Sequence, residues 1–194
     1  MRAGYRGTIV DVGAGDGRFV LRTARARPDS LVVGLDPAWR GLVPAAVRAQ
    51  RKPARGGAPN ALFVSAAIED PPEPLRGIAD EVCVQLPWGT LLTGLVTGEP
   101  GVCRGLRAIA RPGASLRVVI GADIWREPVP SRIRGLPELT ADHVDSVLAD
   151  RLAGHGWKVT AFGPLDAELA TTWARRLAST RSAPTFVELR AEAR

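Results

Sequence analysis

The sequence predicts an α/β fold built on a doubly wound, largely parallel sheet. Short apolar runs rich in Val, Leu and Ile alternate along the chain with segments of helical apolar spacing, as in repeated strand–helix–strand units. The runs are continuous rather than alternating, which is typical of strands buried on both faces. The chain of 194 residues is long enough for one sizeable core. We therefore expect a single domain over residues 1–194.

The elements follow in order. Strands are predicted over 8–12, 31–35, 61–66, 81–86 and 116–121, and helices over 18–27, 39–50 and 102–110. The C-terminal part predicts a helix over 139–153, a strand over 157–162, a helix over 166–177 and a last strand over 185–190. A closing strand pair of this kind fits a seven-stranded sheet with an antiparallel edge strand. The Pro-rich segment 125–137 is expected to be an exposed connection, in which Trp125 either gates a site or packs on the core.

Charge and composition narrow the classes of protein. The net charge is +6, and nearly all the basic side chains are arginine, which favours phosphate-rich partners. No apolar run approaches the ~18 residues of a membrane span, and the N-terminus lacks the pattern of a signal peptide, so we expect a cytoplasmic protein. Cys83 and Cys103 have no metal-ligand spacing and are predicted to be buried thiols, and we expect no metal site.

A glycine-rich turn follows the first predicted strand. In TIVDVGAGDG the strand ends at Asp11, and Gly13, Gly15 and Gly17 open the next helix. The spacing G-x-G-x-G is one residue shorter than the dinucleotide fingerprint, which favours S-adenosylmethionine (SAM) over NAD. Asp36, at the end of the second strand, is placed to accept hydrogen bonds from both ribose hydroxyls of such a cofactor.

The third and fourth strands also end in candidate site residues. In SAAIED, Ala67 and Ile68 offer backbone contacts to an adenine, while Glu69 either reaches the adenine edge or is a solvated loop acid. In EVCVQLPWGTLL, Trp88 lies between Pro87 and Gly89, either as a core aromatic closing a turn or as an outward platform for a flat ligand. Methyltransferases that act on exocyclic amines often carry Asn or Asp where this chain has Leu86. An acceptor with a free lone pair, such as N1 of adenine, does not need that side chain.

Six segments in the same order, over nearly the whole chain, resemble one family. DVGAGDG, LDP, KPARGG, LPWGTLL, RGLP and TTWARRL are similar to segments of the aminoglycoside-resistance methyltransferases that modify 16S rRNA at N1 of adenosine 1408. The resemblance implies a Rossmann-like class I SAM-dependent fold, with Trp88 and Trp173 clamping the flipped adenine. It also implies cofactor contacts from Asp11, Gly13, Asp36, Ala67, Ile68, Glu69, Leu86, Thr90 and Thr171.

The same resemblance implies a docking surface for 16S rRNA in the assembled 30S subunit. Nothing in the sequence points to an oligomer, so we expect a monomer. The basic residues at the matching positions are Arg48, Arg51, Lys52, Arg55, Arg134, Arg176 and Arg181. Two departures lead us to expect weaker methylation. Family members begin with a hairpin that precedes the first core strand and is almost missing here, and Ser182 and Ala183 follow Arg181 where the family has a second basic residue.

Other functions remain open from the sequence. A tRNA guanine-N7 methyltransferase shares the fold, although its P-D-P-W signature is missing at residues 86–88. A small-molecule methyltransferase would have the same cofactor half. A protein that binds SAM or rRNA with little catalysis would also account for the departures.

Overall fold

The computed structural model describes residues 4–126, 129, 131, 133–165 and 185–194. Within these ranges seven strands form one sheet in the order β3-β2-β1-β4-β5-β7-β6. The strands are β1 (Gly7–Val12), β2 (Ser30–Leu35), β3 (Ala61–Val64), β4 (Ala79–Gln85), β5 (Ala110–Gly121), β6 (Trp157–Pro164) and β7 (Phe186–Ala193). The helices are α1 (Arg18–Ala26), α2 (Trp39–Ala49), α3 (Gly89–Thr97), α4 (Pro100–Ile109) and α5 (141–153), and the middle of α5, Val144–Leu148, is π-helical.

The sheet is parallel except at β7. β1 pairs in parallel with β2 and β4, and the parallel pairing extends to β3 on one side and to β5 on the other. β7 runs antiparallel to both β5 and β6 and lies between them. The predicted doubly wound seven-stranded sheet with an antiparallel edge is confirmed, and its antiparallel strand β7 lies next to the edge strand β6.

Two apolar layers cover the sheet. On one face α1 and α2 bury side chains such as Val20 and Leu42 against Ile9 and Val32. The other face carries the larger layer, in which α3, α4 and α5 contribute the residues Leu95, Leu106 and Leu148 to the same core as Val10, Val82 and Trp157. Because β1 and β2 are covered on both sides, their sequences are mostly continuous apolar runs, whereas β6 and β7 keep exposed residues between buried or half-buried ones.

The two thiols belong to these buried layers, as predicted. Cys83 and Cys103 are free and buried. Burial raises the pKa of Cys83 to about 12, with the charges of Asp11 and Glu81 adding to the effect, and burial also raises the pKa of Cys103 to about 11. Both sulfurs are therefore protonated at neutral pH. No helix in the described ranges is long and apolar enough to cross a membrane.

Some predicted boundaries and one predicted environment were wrong. β5 begins at Ala110, where a helix end was predicted, and its pairing with β4 changes register between Ala79 and Glu81. The segment 125–137 is not simply exposed, because Ile133 is only 2% exposed and belongs to the larger core. Helix α3 was not predicted at all. The helix predicted over 166–177 lies outside the described residues.

Candidate active site

A cavity of about 280 Å³ opens where β1, β2 and β4 end. In an open α/β sheet, this carboxyl edge is where ligands bind. The cavity brings together six of the predicted site residues: Asp11, Gly13, Asp36, Leu86, Trp88 and Thr90. Its wall also includes Asp16, Arg18, Phe19, Gln85 and Leu91, which the sequence analysis did not select.

The glycine turn forms the floor of this cavity. Gly13, Gly15 and Gly17 have φ angles of 75°, 54° and 68°, which residues other than glycine rarely adopt. A Cβ atom on Gly13 would lie 2.7 Å from Cδ2 of Leu91, and one on Gly17 would lie 2.6 Å from Cβ of Ala45. The glycines therefore serve both the shape of the turn and the close packing of the helices behind it.

Asp36 holds the turn against the start of α2. Its Oδ2 accepts a hydrogen bond from the Gly15 amide at 2.8 Å, and its Oδ1 accepts one from the Ala38 amide at 2.7 Å. A carboxylate has further lone pairs on both oxygens, so Asp36 can still accept bonds from a ligand. The structure thus adds a positioning role to the ribose contact predicted from the sequence.

Two buried side chains that line the cavity, Asp11 and Gln85, have polar atoms with no hydrogen-bond partner among the described residues. Asp11 is 2% exposed, and its Oδ1 accepts no hydrogen bond from the described part of the chain. Burial, followed by the charges of Asp36 and Asp16, raises the pKa of Asp11 well above its usual value. Gln85 is 9% exposed, and neither its Oε1 nor its Nε2 has a partner within the same ranges. Buried polar atoms are rarely left unpaired, so these two side chains are candidates for binding a polar ligand.

The register of the sheet explains why these two side chains share one cavity. Asp11 pairs with Cys83 across β1 and β4, and Gln85 follows Cys83 by two residues on the same face of the sheet. Gln85 was missed by the sequence analysis. The available signal was an amide that ends the otherwise apolar strand VCVQ.

Trp88 lies at the rim of the cavity, just before α3. Its side chain is 46% exposed, in agreement with the prediction of an outward ring. Leu86, two residues before Trp88, has φ 51°, and it is the one non-glycine residue in the described ranges with a positive φ. Its amide donates to the Val119 carbonyl at 2.8 Å, which fixes the end of β4 to β5. Such a conformation costs of order 1–3 kcal/mol and is typical of functional sites.

A second cavity of about 250 Å³ is also lined by Trp88, together with Thr90, Thr93, Ile133 and Leu136. Trp125 lies nearby in the chain, is half-buried against the larger core, and donates a hydrogen bond from Nε1 to the Leu136 carbonyl at 3.3 Å. These contacts favour the core-packing alternative for Trp125.

The remaining predicted cofactor residues are placed differently. Ala67, Ile68 and Glu69 follow β3 and are not among the lining residues of the first cavity. The Ile68 side chain belongs to the larger core, whereas Ala67 and Glu69 are exposed. Thr171 and Trp173 lie outside the described residues.

Most of the described basic candidates lie on one loop. Arg48, Arg51, Lys52 and Arg55 are exposed at the end of α2 and in the short turn Pro53–Arg55. The Lys52 carbonyl accepts from the Arg55 amide at 2.8 Å and from the Gly57 amide at 3.1 Å, so the loop has a defined shape. Arg134 is exposed in a separate segment. Arg176 and Arg181 lie outside the described residues.

The sheet order, the glycine turn after β1 and the carboxylate after β2 define a Rossmann-like class I methyltransferase. A profile of the family described as "NpmA: 16S rRNA (adenine(1408)-N(1))-methyltransferase" matches residues 1–192. This chain belongs to that family, as its motifs predicted.

Individual relatives support the assignment. A 16S rRNA (adenine(1408)-N(1))-methyltransferase of Streptoalloteichus hindustanus is 41% identical over 185 residues, which cover 93% of this chain and 85% of the relative. A crystal structure of a point variant of the enzyme with this name from Catenulisporales acidiphilia, with cosubstrate SAM, has a TM-score of 0.93 at 50% identity and covers 99% of this chain and 88% of the other. The antibiotic-resistance methyltransferase Kmr has a TM-score of 0.82 at 38% identity, with 99% and 89% covered.

Proposed function

We propose that this protein transfers a methyl group from SAM to N1 of adenosine 1408 of 16S rRNA and thereby confers aminoglycoside resistance. The observation that carries the proposal is the exposed Trp88 at the mouth of the cavity. The same cavity is lined by Asp11 and Gln85, whose polar atoms without partners in the described ranges can bind a polar ligand. The target is the one named for the family to which the chain belongs. We further propose that the substrate is the assembled 30S subunit, that the enzyme acts as a monomer and that it works in the cytoplasm.

The residues around the cavity fit SAM. Asp11 offers a carboxylate oxygen that has no hydrogen-bond partner among the described residues, and such an oxygen suits a cationic ammonium group. Gln85 offers both a donor and an acceptor to the same polar end of a ligand. The glycine turn lets a ligand approach the backbone, and Asp36 lies in reach of ribose hydroxyls at the end of β2. When bound, SAM supplies an electrophilic methyl group on a sulfonium.

The protein's own task is then to position the acceptor. N1 of adenine carries a free lone pair at neutral pH, so no side chain has to remove a proton first. Leu86 occupies the position where methyltransferases that act on exocyclic amines carry Asn or Asp, which is consistent with an acceptor that needs no such side chain. An aromatic platform that holds an extruded base orients it towards the methyl group. Such positioning removes much of the entropic cost that forms the activation barrier of a bimolecular reaction. We assign this platform to Trp88, with Trp173 as the opposing ring.

Primer extension tests the proposal. 30S subunits are incubated with the protein and SAM, and reverse transcription across the decoding region is expected to stop at one adenosine, position 1408. Methyl incorporation into tRNA or into small molecules instead of 16S rRNA would overturn the assignment. Cells that express the protein should become resistant to aminoglycosides that bind this site, and a Trp88→Ala variant expressed at the same level should not protect them.

A further inference from the structure

Helix α2 exposes an apolar stripe to solvent. Trp39, Val43 and Val47 recur at four-residue spacing and therefore lie along one side of the helix. They are 54%, 43% and 55% exposed. In the described part of the chain, the one other large apolar side chain with such exposure is Trp88. Apolar side chains that stay in water do not contribute the free energy that their burial would provide to stability. A contiguous apolar surface of this kind is therefore typical of a site that is buried by a partner.

The segment of the chain that contains this stripe is basic and has no acidic residue. Residues 37–68 include five basic residues, Arg40, Arg48, Arg51, Lys52 and Arg55, and no Asp or Glu. All five are exposed. The guanidinium carbon of Arg40 lies over the Trp39 ring, 5.3 Å from its centroid, so a cation covers one face of the ring and a base would stack on the other. The surface thus offers aromatic stacking and phosphate neutralisation side by side.

The stripe begins close to the active site. Pro37, two residues before Trp39, lines the cofactor cavity. From there α2 runs for 11 residues, which is about 16 Å, towards the basic loop that holds Arg51, Lys52 and Arg55. The stripe therefore connects the edge of the cavity with the loop that we assign to rRNA docking.

We infer that the α2 stripe binds a single-stranded stretch of 16S rRNA, with one unpaired base stacked on Trp39. Val43 and Val47 contact the apolar faces of the adjoining ribose and base, and the neighbouring arginines contact phosphates. Stacking on aromatic side chains next to Arg is the usual way in which proteins hold unpaired RNA bases. This inference rests on the proposed function, because it extends the rRNA contacts beyond the target nucleotide.

Charge distinguishes this occupant from a second copy of the chain. A symmetric contact through α2 would bring the five cations of one copy against the same five of the other, and the charge of +6 on each copy would oppose association. RNA neutralises these charges instead. A ribosomal protein is the other class of partner, and it is an outcome of the test below.

Binding to 30S subunits over a salt series tests the stacking. Trp39→Ala should weaken 30S binding roughly 5- to 150-fold at a fixed salt concentration, the range for one base–aromatic stack. The slope of log affinity against log salt should not change, because every phosphate remains neutralised as in the wild type. Trp39→Phe should keep most of the affinity. The melting temperature and the SAM affinity of both variants should match the wild type.

Arginine variants in the same binding assay test the phosphate contacts. Arg48→Ala should make the salt slope shallower. Arg104→Ala is the matched control, because Arg104 is equally an exposed helix arginine but belongs to α4, on the opposite face of the sheet. It should leave affinity and slope unchanged. Wild-type affinity in Trp39→Ala, or equal losses of affinity in Trp39→Ala and Trp39→Phe, would overturn the inference.

Photo-crosslinking identifies the partner. Benzoylphenylalanine in place of Val47, irradiated in the 30S complex, should crosslink to 16S rRNA at a nucleotide other than 1408. A crosslink only to a ribosomal protein or to a second copy, or none to rRNA, would overturn the inference. The binding assay requires no methyl transfer. If the wild type fails to modify position 1408 while Trp39→Ala still weakens 30S binding, the proposed function fails and the docking surface stands.

Discussion

Among single residues, Asp11 carries the clearest electrostatic cost. Its carboxyl is buried beside Asp36 and Asp16, and burial first, then these charges, raises its pKa well above the usual value. An unfolded Asp ionises near pH 3.9, so above that pH the unfolded state gains a charge that the native state resists. The resulting penalty is absent below the unfolded pKa and grows as pH rises towards the native pKa. A bound cation beside Asp11 would relieve it.

Asp11→Asn should therefore stabilise the ligand-free protein at neutral pH. The gain should shrink as the pH falls to about 4 and vanish below the unfolded pKa, because the carboxyl is then neutral in both states. The same variant should bind SAM more weakly, since it loses a charged acceptor. Thermal melts across this pH range and calorimetry with SAM measure both effects. Glu138→Gln, which alters an exposed carboxylate, is the control. A melting temperature below the wild type at every pH would contradict the prediction.

Substitution of Trp88 distinguishes a binding role of its ring from a packing role. Because Trp88 is 46% exposed, Trp88→Ala should leave the melting temperature nearly unchanged, whereas truncating a buried Trp costs ~3–5 kcal/mol. Loss of a base stack worth ~1–3 kcal/mol should lower methylation of 30S subunits by about one to two orders of magnitude. Trp88→Phe should restore most of this activity. We expect the same pattern for Trp173. An unfolded Trp88→Ala, or a folded one with full activity, would contradict the platform role.

At the scale of elements, close backbone contact between α4 and the segment after β3 positions Ala67, Ile68 and Glu69. A Cβ on Gly105 would lie 1.7 Å from the Ile68 carbonyl oxygen. The neighbour is backbone, so it cannot rotate away as a side chain would. This contact holds the segment against the helix, and the segment in turn carries three of the predicted cofactor residues.

Gly105→Ala should destabilise the protein by about 1–3 kcal/mol or more, the usual range for an overpacked core. Urea unfolding measures the change in stability, and the residual folded protein should bind SAM more weakly if residues 67–69 contact its adenine. Gly163→Ala is a suitable control, because a Cβ there meets no atom within 4 Å. Equal stabilities of the two variants would show that α4 can shift without cost.

At the scale of the whole molecule, basic groups are distributed unevenly. The surface formed by α2 and the loop after it has no acidic residue from 37 to 68, whereas elsewhere arginines pair with acids, as Arg117 does with Glu188 and Arg27 with Glu81. Such a distribution directs one side of the protein towards polyanions and leaves the rest electrostatically mixed.

Arg51→Ala combined with Lys52→Ala should weaken 30S binding and make its salt dependence shallower, by about one unit of slope for each phosphate that is no longer neutralised. The affinity for SAM should not change, because neither residue lines the cofactor cavity. Arg104→Ala combined with Lys158→Ala removes the same two residue types from exposed positions on α4 and β6 and should have no effect. Equal behaviour of the two double variants across the salt series would assign Arg51 and Lys52 to an ordinary solvated surface.

Local chemistry was enough to predict much of the fold and part of the site. Short apolar runs marked the strands, so six of the seven described strands were located to within three residues at each end, whereas β5 begins six residues before its predicted start. The glycine turn, Asp36 and the outward Trp88 were also predicted, because backbone conformation at these positions depends on the adjacent Gly and Pro residues. These features depend on interactions within a few residues of the chain.

Other features required the tertiary structure. α3 was missed because its nine residues, GTLLTGLVT, include two glycines and three threonines, which have low helix propensity, and packing against the sheet is what stabilises the helix. Asp11 and Gln85 became candidates together only once the register of β1 and β4 placed them on one cavity. On α2, both Leu42 and Val43 are apolar, and the sequence does not say which of them faces the core. Packing against the sheet buries Leu42 and leaves Val43 exposed, since the rotation of a helix about its axis is set by the surface on which it packs.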